Sequence, residues 1–149
     1  MPNLYIVRGL PGSGKSTFVR SQGLPSSEDC WLEADMFFEN PETGEYKWEG
    51  KLIEEAHQWC FTNTIKHLRN GKNVWVSNTF TRLWEMNPYI LTIGELIGNV
   101  DVTVFEIKTQ FESVHGIPEK SMKAMKARWE EIPAEWEGTF VTAVHRITE

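Results

Sequence analysis

The chain of 149 residues has only two cysteines, Cys30 and Cys60, and no Cys-x-x-Cys pair. That excludes a disulfide framework and a cysteine-based zinc site, and predicts reduced thiols in a cytoplasmic protein. No apolar run approaches the roughly 20 residues of a membrane-crossing helix, so no membrane role is expected. No charged-then-apolar leader precedes Leu4. Positive charge is scarce as well: 15 Lys and Arg against 21 Asp and Glu leave a net charge of −6. A general field that draws nucleic acid is thereby excluded, while a local basic groove is not. Repeats, low-complexity tracts and interdomain linkers are also lacking, and the length suits a single domain over residues 1–149 with one active site.

Glycine, by contrast, is concentrated where it matters. Residues 9–17 read Gly9-Leu10-Pro11-Gly12-Ser13-Gly14-Lys15-Ser16-Thr17, a complete G-x-x-x-x-G-K-[ST] phosphate loop. The glycines let the backbone curl until consecutive N–H groups face an anion, and the helix that follows offers its positive end to the same phosphates. Lys15 is expected to reach the β- and γ-phosphates of a nucleoside triphosphate, with the Ser16 hydroxyl on Mg²⁺. The candidate triphosphate-binding residues are therefore Gly9, Pro11, Gly12, Ser13, Gly14, Lys15, Ser16 and Thr17. The flanks agree, because Leu4 to Val7 is a short apolar run suited to a buried parallel strand and Ser16 to Arg20 opens a helix.

Further along, Cys30 to Ala34 reads as a second strand that delivers Asp35 at its carboxyl end. A polar excursion follows, then apolar residues from Leu52 to Leu68 at helical spacing, stopped by Asn70-Gly71. Asn73 to Ser77 makes a third strand, Trp84 to Ile97 a helix with Pro88 in its early part, and Val100 to Ile107 a fourth strand. A helix from Glu119 to Trp129 and a last strand from Thr139 to Ile147 complete the pattern. Alternating strands and helices predict an α/β fold: the three-layer sandwich of phosphate-loop NTPases, with a mainly parallel sheet of about five strands and helices on both faces. Ligands in such folds bind along the rim of strand carboxyl ends. The loop, Asp35, Ser77-Asn78-Thr79 and the segment after Ile107 are expected to meet there.

Phosphoryl transfer asks for a cradle, a metal, a group that orients or deprotonates the acceptor, and cations on the transferring oxygens. Asp35 is the candidate base, or alternatively a ligand to Mg²⁺ with Ser16. No carboxylate stands in Ser77-Asn78-Thr79, so the acidic metal-side role is expected to fall to neutral oxygens or to Asp35. Arg128 and Arg82 are the candidate phosphate-gripping cations, with Lys120, Lys123 and Lys126 on a charged helix face as a second source. Arg8 is expected to point off the other side of its strand. His57 reads as a packed or capping side chain within the long helix, and His115 as a loop residue with a functional or turn role. Trp31, Trp59 and Trp75 read as core, whereas Phe38 and Trp48 are candidates for stacking a base.

Several runs together resemble the phosphate-loop kinases related to the 5′-kinase domain of phage polynucleotide kinase, a group that includes AAA-family ATPases and zeta-toxin-like kinases of bacteria and phages. They are Arg8 to Thr17, Glu33 to Phe38, Ala56 to Cys60, Ser77 to Phe80, Trp84 to Met86, Pro88-Tyr89, His115 to Pro118 and Met125 to Glu130. The resemblance implies ATP and Mg²⁺ as cofactors, phosphate and metal roles for Lys15 and Ser16, and Asp35 as general base. It also implies two arginines that this chain lacks: Phe38 stands three residues after Asp35, and Phe111-Glu112-Ser113-Val114 stands before the turn at His115-Gly116. The expected activity is transfer of the ATP γ-phosphoryl group to a hydroxyl of a nucleotide, DNA or RNA-like acceptor, with Arg128 or a lysine of the Lys120 to Lys126 stretch replacing the missing lid cation. A kinase or ATPase acting on a small metabolite and a non-catalytic nucleotide-binding module are the alternatives.

Overall fold

The computed structural model describes residues 2–40, 42–108 and 119–148. Its centre is a five-stranded sheet in which every pairing is parallel, built from β1 (Asn3–Arg8), β2 (Asp29–Leu32), β3 (Asn73–Asn78), β4 (Asp101–Ile107) and β5 (Ala143–Ile147). The spatial order is β2-β3-β1-β4-β5. β1 is thus central, hydrogen-bonded on both edges, and the chain leaves it directly into the glycine loop. Parallel strands buried on both faces need apolar residues on both sides. In β1, Leu4 and Ile6 face one side and Val7 the other, all fully buried.

The larger core lies between the sheet and α2 (Ile53–Arg69), with the helical stretch that follows β3 closing it. Ala56, Cys60, Thr64 and Leu68 of α2 are buried, spaced four apart on one helical stripe. The stretch after β3 runs through α3 (Leu83–Asn87), a π-helical turn (Pro88–Thr92) and α4 (Ile93–Ile97). Pro88 lacks an N–H for the i−4 carbonyl, and the widened turn begins at that residue; Gly98 at φ 90° stops the helix. On the opposite face, α1 (Lys15–Ser21) packs Val19 into a smaller cluster with Val7, Leu24, Trp75 and Ile107. Tyr5, Trp75, Phe105 and His145 lie ring against ring across four neighbouring strands of that face, with centroids 4.1, 5.8 and 5.2 Å apart for Tyr5–Trp75, Trp75–Phe105 and Phe105–His145. Cross-strand aromatic pairs of this kind fix register as well as adding buried area.

Three expectations change. The second strand ends at Leu32, and Ala34–Phe38 is a 3-10 helix, so Asp35 sits inside a tight turn and not at a strand terminus. The last strand is shorter than expected, starting at Ala143 after a 3-10 turn at Ala134–Trp136. His57 is exposed on the solvent face of α2, neither packed nor capping. The final helix, α5 (Glu119–Arg128), buries no residue among those described. His115, the run Phe111 to Val114 and the turn at His115-Gly116 lie outside the described residues.

Candidate active site

The loop between β1 and α1 has the conformation its glycines predict. Gly12 and Gly14 adopt φ of 78° and 98°, a region that costs other L-residues steric strain. Gly9 is needed for closeness instead, since a Cβ there would lie 2.5 Å from Ser13 Oγ and 2.9 Å from the Ile107 carbonyl oxygen. Ser13 Oγ is buried with no hydrogen-bond partner among the described residues. Lys15 folds back over the loop, donating to the Gly9 carbonyl at 2.8 Å and the Leu10 carbonyl at 3.1 Å. Burial pushes its ammonium down to about 8, against which the Glu33 carboxylate works. A lysine held this way gains from any anion that enters the loop.

Glu33 is the residue that sequence reasoning missed. Its Oε1 accepts from the Ser16 hydroxyl at 3.2 Å and from the Ser77 hydroxyl at 2.8 Å. Ser77 in turn accepts from the Trp31 indole N–H at 2.9 Å, so Trp31 is half-buried and hydrogen-bonded where a plain core residue was expected. A carboxylate therefore stands at the end of β3 after all, supplied by the neighbouring strand. It occupies the place beside Ser16 that was expected for Asp35. The physical reason is the early end of β2: the backbone turns into the 3-10 helix directly after Glu33, which leaves Glu33 beside Ser16 and carries Asp35 out to an exposed position. The signal available in sequence was the carboxylate two residues before Asp35, opposite a β3 end that has none.

Asn78 locks this turn, its Oδ1 accepting from the Ala34 N–H at 2.9 Å. Asp35 Oδ1 accepts a 2.6 Å hydrogen bond from the Tyr46 hydroxyl. Desolvation, with the adjacent Asp35 carboxylate, pushes the Tyr46 phenol up to about 12, so it remains a donor at neutral pH. Phe38 is 7% exposed and belongs to the core; it is not the free stacking surface expected of it. Arg128 is exposed, but its Nε donates to Thr81 Oγ1 at 3.1 Å, which ties the end of α5 to the segment after β3. Arg82 is exposed at the start of α3. Lys123 pairs with Glu119 at 3.5 Å on the outer face of α5.

Arg8 is fully buried, 3.1 Å from Glu106, and it holds main-chain carbonyls of the segments after β3 and α5.

A hydroxyl and a carboxylate beside a glycine loop make a hard oxygen donor set suited to Mg²⁺. Among the described residues no group of three or more His, Cys, Asp or Glu converges into a metal cage. Ser16 and Glu33, 3.2 Å apart at their oxygens, are the residues here that could hold such an ion.

The comparison with known proteins is decisive for the family. A family model described as AAA domain matches residues 4–109. The chain belongs to the AAA domain family. Its five-stranded parallel sheet and loop are those of the phosphate-loop kinase fold. Human NEDD4-binding protein 2 is 35% identical over 89 residues, which is 58% of this chain and 5% of that protein. A chain of the Pnkp1/Rnl/Hen1 RNA repair complex aligns with a TM-score of 0.62 at 20% identity, covering 85% of this chain and 43% of that one. A sugar kinase from Janibacter sp. HTCC2649 aligns with a TM-score of 0.64 at 14% identity, covering 98% and 86%. This domain therefore spans only a small part of NEDD4-binding protein 2 and under half of the repair-complex chain.

Proposed function

We propose that this domain is an ATP- and Mg²⁺-dependent kinase that moves the γ-phosphoryl group of ATP to a hydroxyl of a nucleotide-like acceptor. The observation that carries the reading is the hydrogen-bonded junction of Ser16, Glu33 and Ser77 beside the glycine loop, with Asp35 two residues beyond it. Bound Mg²⁺ would neutralise charge on the β- and γ-phosphates. Lys15 exchanges its two loop carbonyls for phosphate oxygens, Asp35 takes the proton of the attacking hydroxyl, and Arg128 supplies a cation from the α5 side. Glu33 also counts against a non-catalytic module, because it supplies the carboxylate that Ser77-Asn78-Thr79 lacks.

The direct test is incubation with γ-labelled ATP and Mg²⁺ across nucleosides, 5′-hydroxyl oligonucleotides and simple sugars. Label on a nucleoside or oligonucleotide supports the proposal, and label on a sugar alone favours the small-molecule reading; ATP binding with label on no acceptor defeats both. A small-molecule acceptor is the second reading, favoured by the burial of Phe38 where the polynucleotide kinases carry a cation for the acceptor phosphate.

Two predictions belong to the donor side. Triphosphate binding should restore the Lys15 charge that burial suppresses, so calorimetry in buffers of different ionisation enthalpy should find net proton uptake at pH above the free-state value of about 8. The uptake should fade below about pH 7, where Lys15 is already protonated, and vanish in Lys15→Met. Glu33→Ala should raise the Mg²⁺ concentration needed for half-maximal ATP binding by about 10–100-fold, the usual effect of removing a residue that orients a metal site. An unchanged Mg²⁺ requirement would remove Glu33 from the site.

A further inference from the structure

The segment that follows the 3-10 turn carries two exposed rings, one of them hydrogen-bonded to Asp35. Tyr46 is 49% exposed and Trp48 57%. They are alternate residues of a stretch pinned to the turn by a bridge between Glu39 and Tyr46 and by the Lys47 N–H donating to the Phe38 carbonyl at 2.9 Å. Both rings approach the buried Phe38 ring, at 6.3 and 6.4 Å between centroids. Phe38 is thus the base on which the pair is mounted. Trp48 also rests on Gly50, where a Cβ would come within 2.7 Å of the indole. The indole is held from below and open above, which is how a stacking platform is built.

Charge decides what such a platform accepts. From Asp35 to Glu55 the sequence carries seven carboxylates against two lysines, Lys47 and Lys51. Glu39, Glu42 and Glu45 are exposed on the same segment as the rings. The cations that follow other strand ends lie elsewhere: Lys15 in the loop, Arg82 at the start of α3, Arg128 on Thr81, and Lys108, paired with Glu131. Polynucleotide binding draws most of its affinity from cations on phosphates, and here the acceptor side presents the opposite sign.

We propose that Trp48 and Tyr46 form the acceptor platform and that the acceptor is an uncharged nucleoside. Its base stacks on Trp48, and its hydroxyl reaches Asp35 alongside the Tyr46 phenol. The proposal rests on the kinase reading above and narrows it: the hydroxyl oxygen bonds to the γ-phosphorus of ATP, the bond from that phosphorus to the bridging oxygen breaks, ADP leaves with the electron pair, and the proton passes to Asp35.

The experiment compares nucleosides, glucose and a 5′-hydroxyl hexanucleotide as acceptors for the wild type, Trp48→Ala and Glu42→Lys/Glu45→Lys. Nucleosides should be the best acceptors, and Trp48→Ala should raise their KM about tenfold or more, the scale of one lost base stack. The charge reversal should improve use of the hexanucleotide at low salt, a gain erased near 1 M salt. A hexanucleotide used as well as nucleosides by the wild type, glucose used in their place, or an unchanged KM in Trp48→Ala each overturns the proposal while leaving the kinase reading intact. If no acceptor takes label, the kinase reading fails on its own, and equilibrium dialysis of a nucleoside with ADP present decides the platform. Binding weakened by Trp48→Ala sustains it; no binding, or binding indifferent to Trp48, ends it.

Discussion

Asp35→Asn is expected to lower kcat by about 10²–10⁴-fold, the usual contribution of a positioned general base, while ATP affinity and its Mg²⁺ dependence stay as in the wild type. The substitution isolates proton transfer because it disturbs little else. Asparagine has the same shape, and its Oδ1 can accept the 2.6 Å hydrogen bond that Tyr46 now donates to the carboxylate. Asp35 is exposed, so no buried charge is lost and the turn should hold. Equilibrium binding of ATP and single-turnover transfer together separate two roles. A base affects only the transfer step, whereas a metal ligand would also change the Mg²⁺ requirement. Retention of more than about a tenth of the transfer rate would mean that the acceptor loses its proton to solvent or to phosphate, in keeping with the loose transition states of phosphoryl transfer.

The division between Glu33 and Asp35 also marks where sequence reading stops. The glycine loop was legible because its residues follow one another in a fixed spacing, and Gly12 and Gly14 answer to local backbone geometry. The alternation of apolar strands with α2 and the α3–α4 stretch was legible for a similar reason, since one face of each element must be buried whatever it packs against. The end of β2 was not. Glu33-Ala34-Asp35 contains neither glycine nor proline, and the switch from strand to 3-10 turn is held by Asn78, 44 residues away from the Ala34 N–H that it accepts. A contact of that separation leaves no local trace. The burial of Phe38 follows from the same turn, which directs that ring into the core between sheet and α2.

The second large effect concerns Arg8, whose role lay equally beyond local pattern. Arg8 and Glu106 are register partners on β1 and β4, opposite charges set among the buried apolar residues of those strands. Each has a side chain that is 0% exposed. The guanidinium uses its whole fork: Nη1 on Glu106 at 3.1 Å, Nε and Nη2 on the Phe80 carbonyl at 3.0 and 2.6 Å, and Nη2 also on the Glu130 carbonyl at 2.9 Å. Its carbon lies 3.8 Å from the centroid of the Trp129 ring. Phe80 has a φ of 47°, unfavourable for a residue with a bulky side chain, and Arg8 grips the carbonyl that this conformation presents. One residue before Gly9, a single side chain thus joins the start of the loop to the segments that follow β3 and α5.

Arg8→Met should therefore destabilise the domain by about 3–5 kcal/mol, because it leaves a buried carboxylate and buried carbonyls without their partner. For a chain of this size that corresponds to a fall in Tm of roughly 6–20 °C. Arg146 at 3.2 Å and Lys108 at 4.0 Å from Glu106 moderate the loss. The double variant Arg8→Met/Glu106→Leu should recover part of it, since the stranded charge is gone, but not all, since the Phe80 and Glu130 carbonyls are still unpaired. Full recovery in the double variant would reduce Arg8 to a counter-ion for Glu106. Partial recovery, with weakened ATP binding in both variants at temperatures where they are folded, would identify Arg8 as the clasp that holds the rim segments around the phosphate loop.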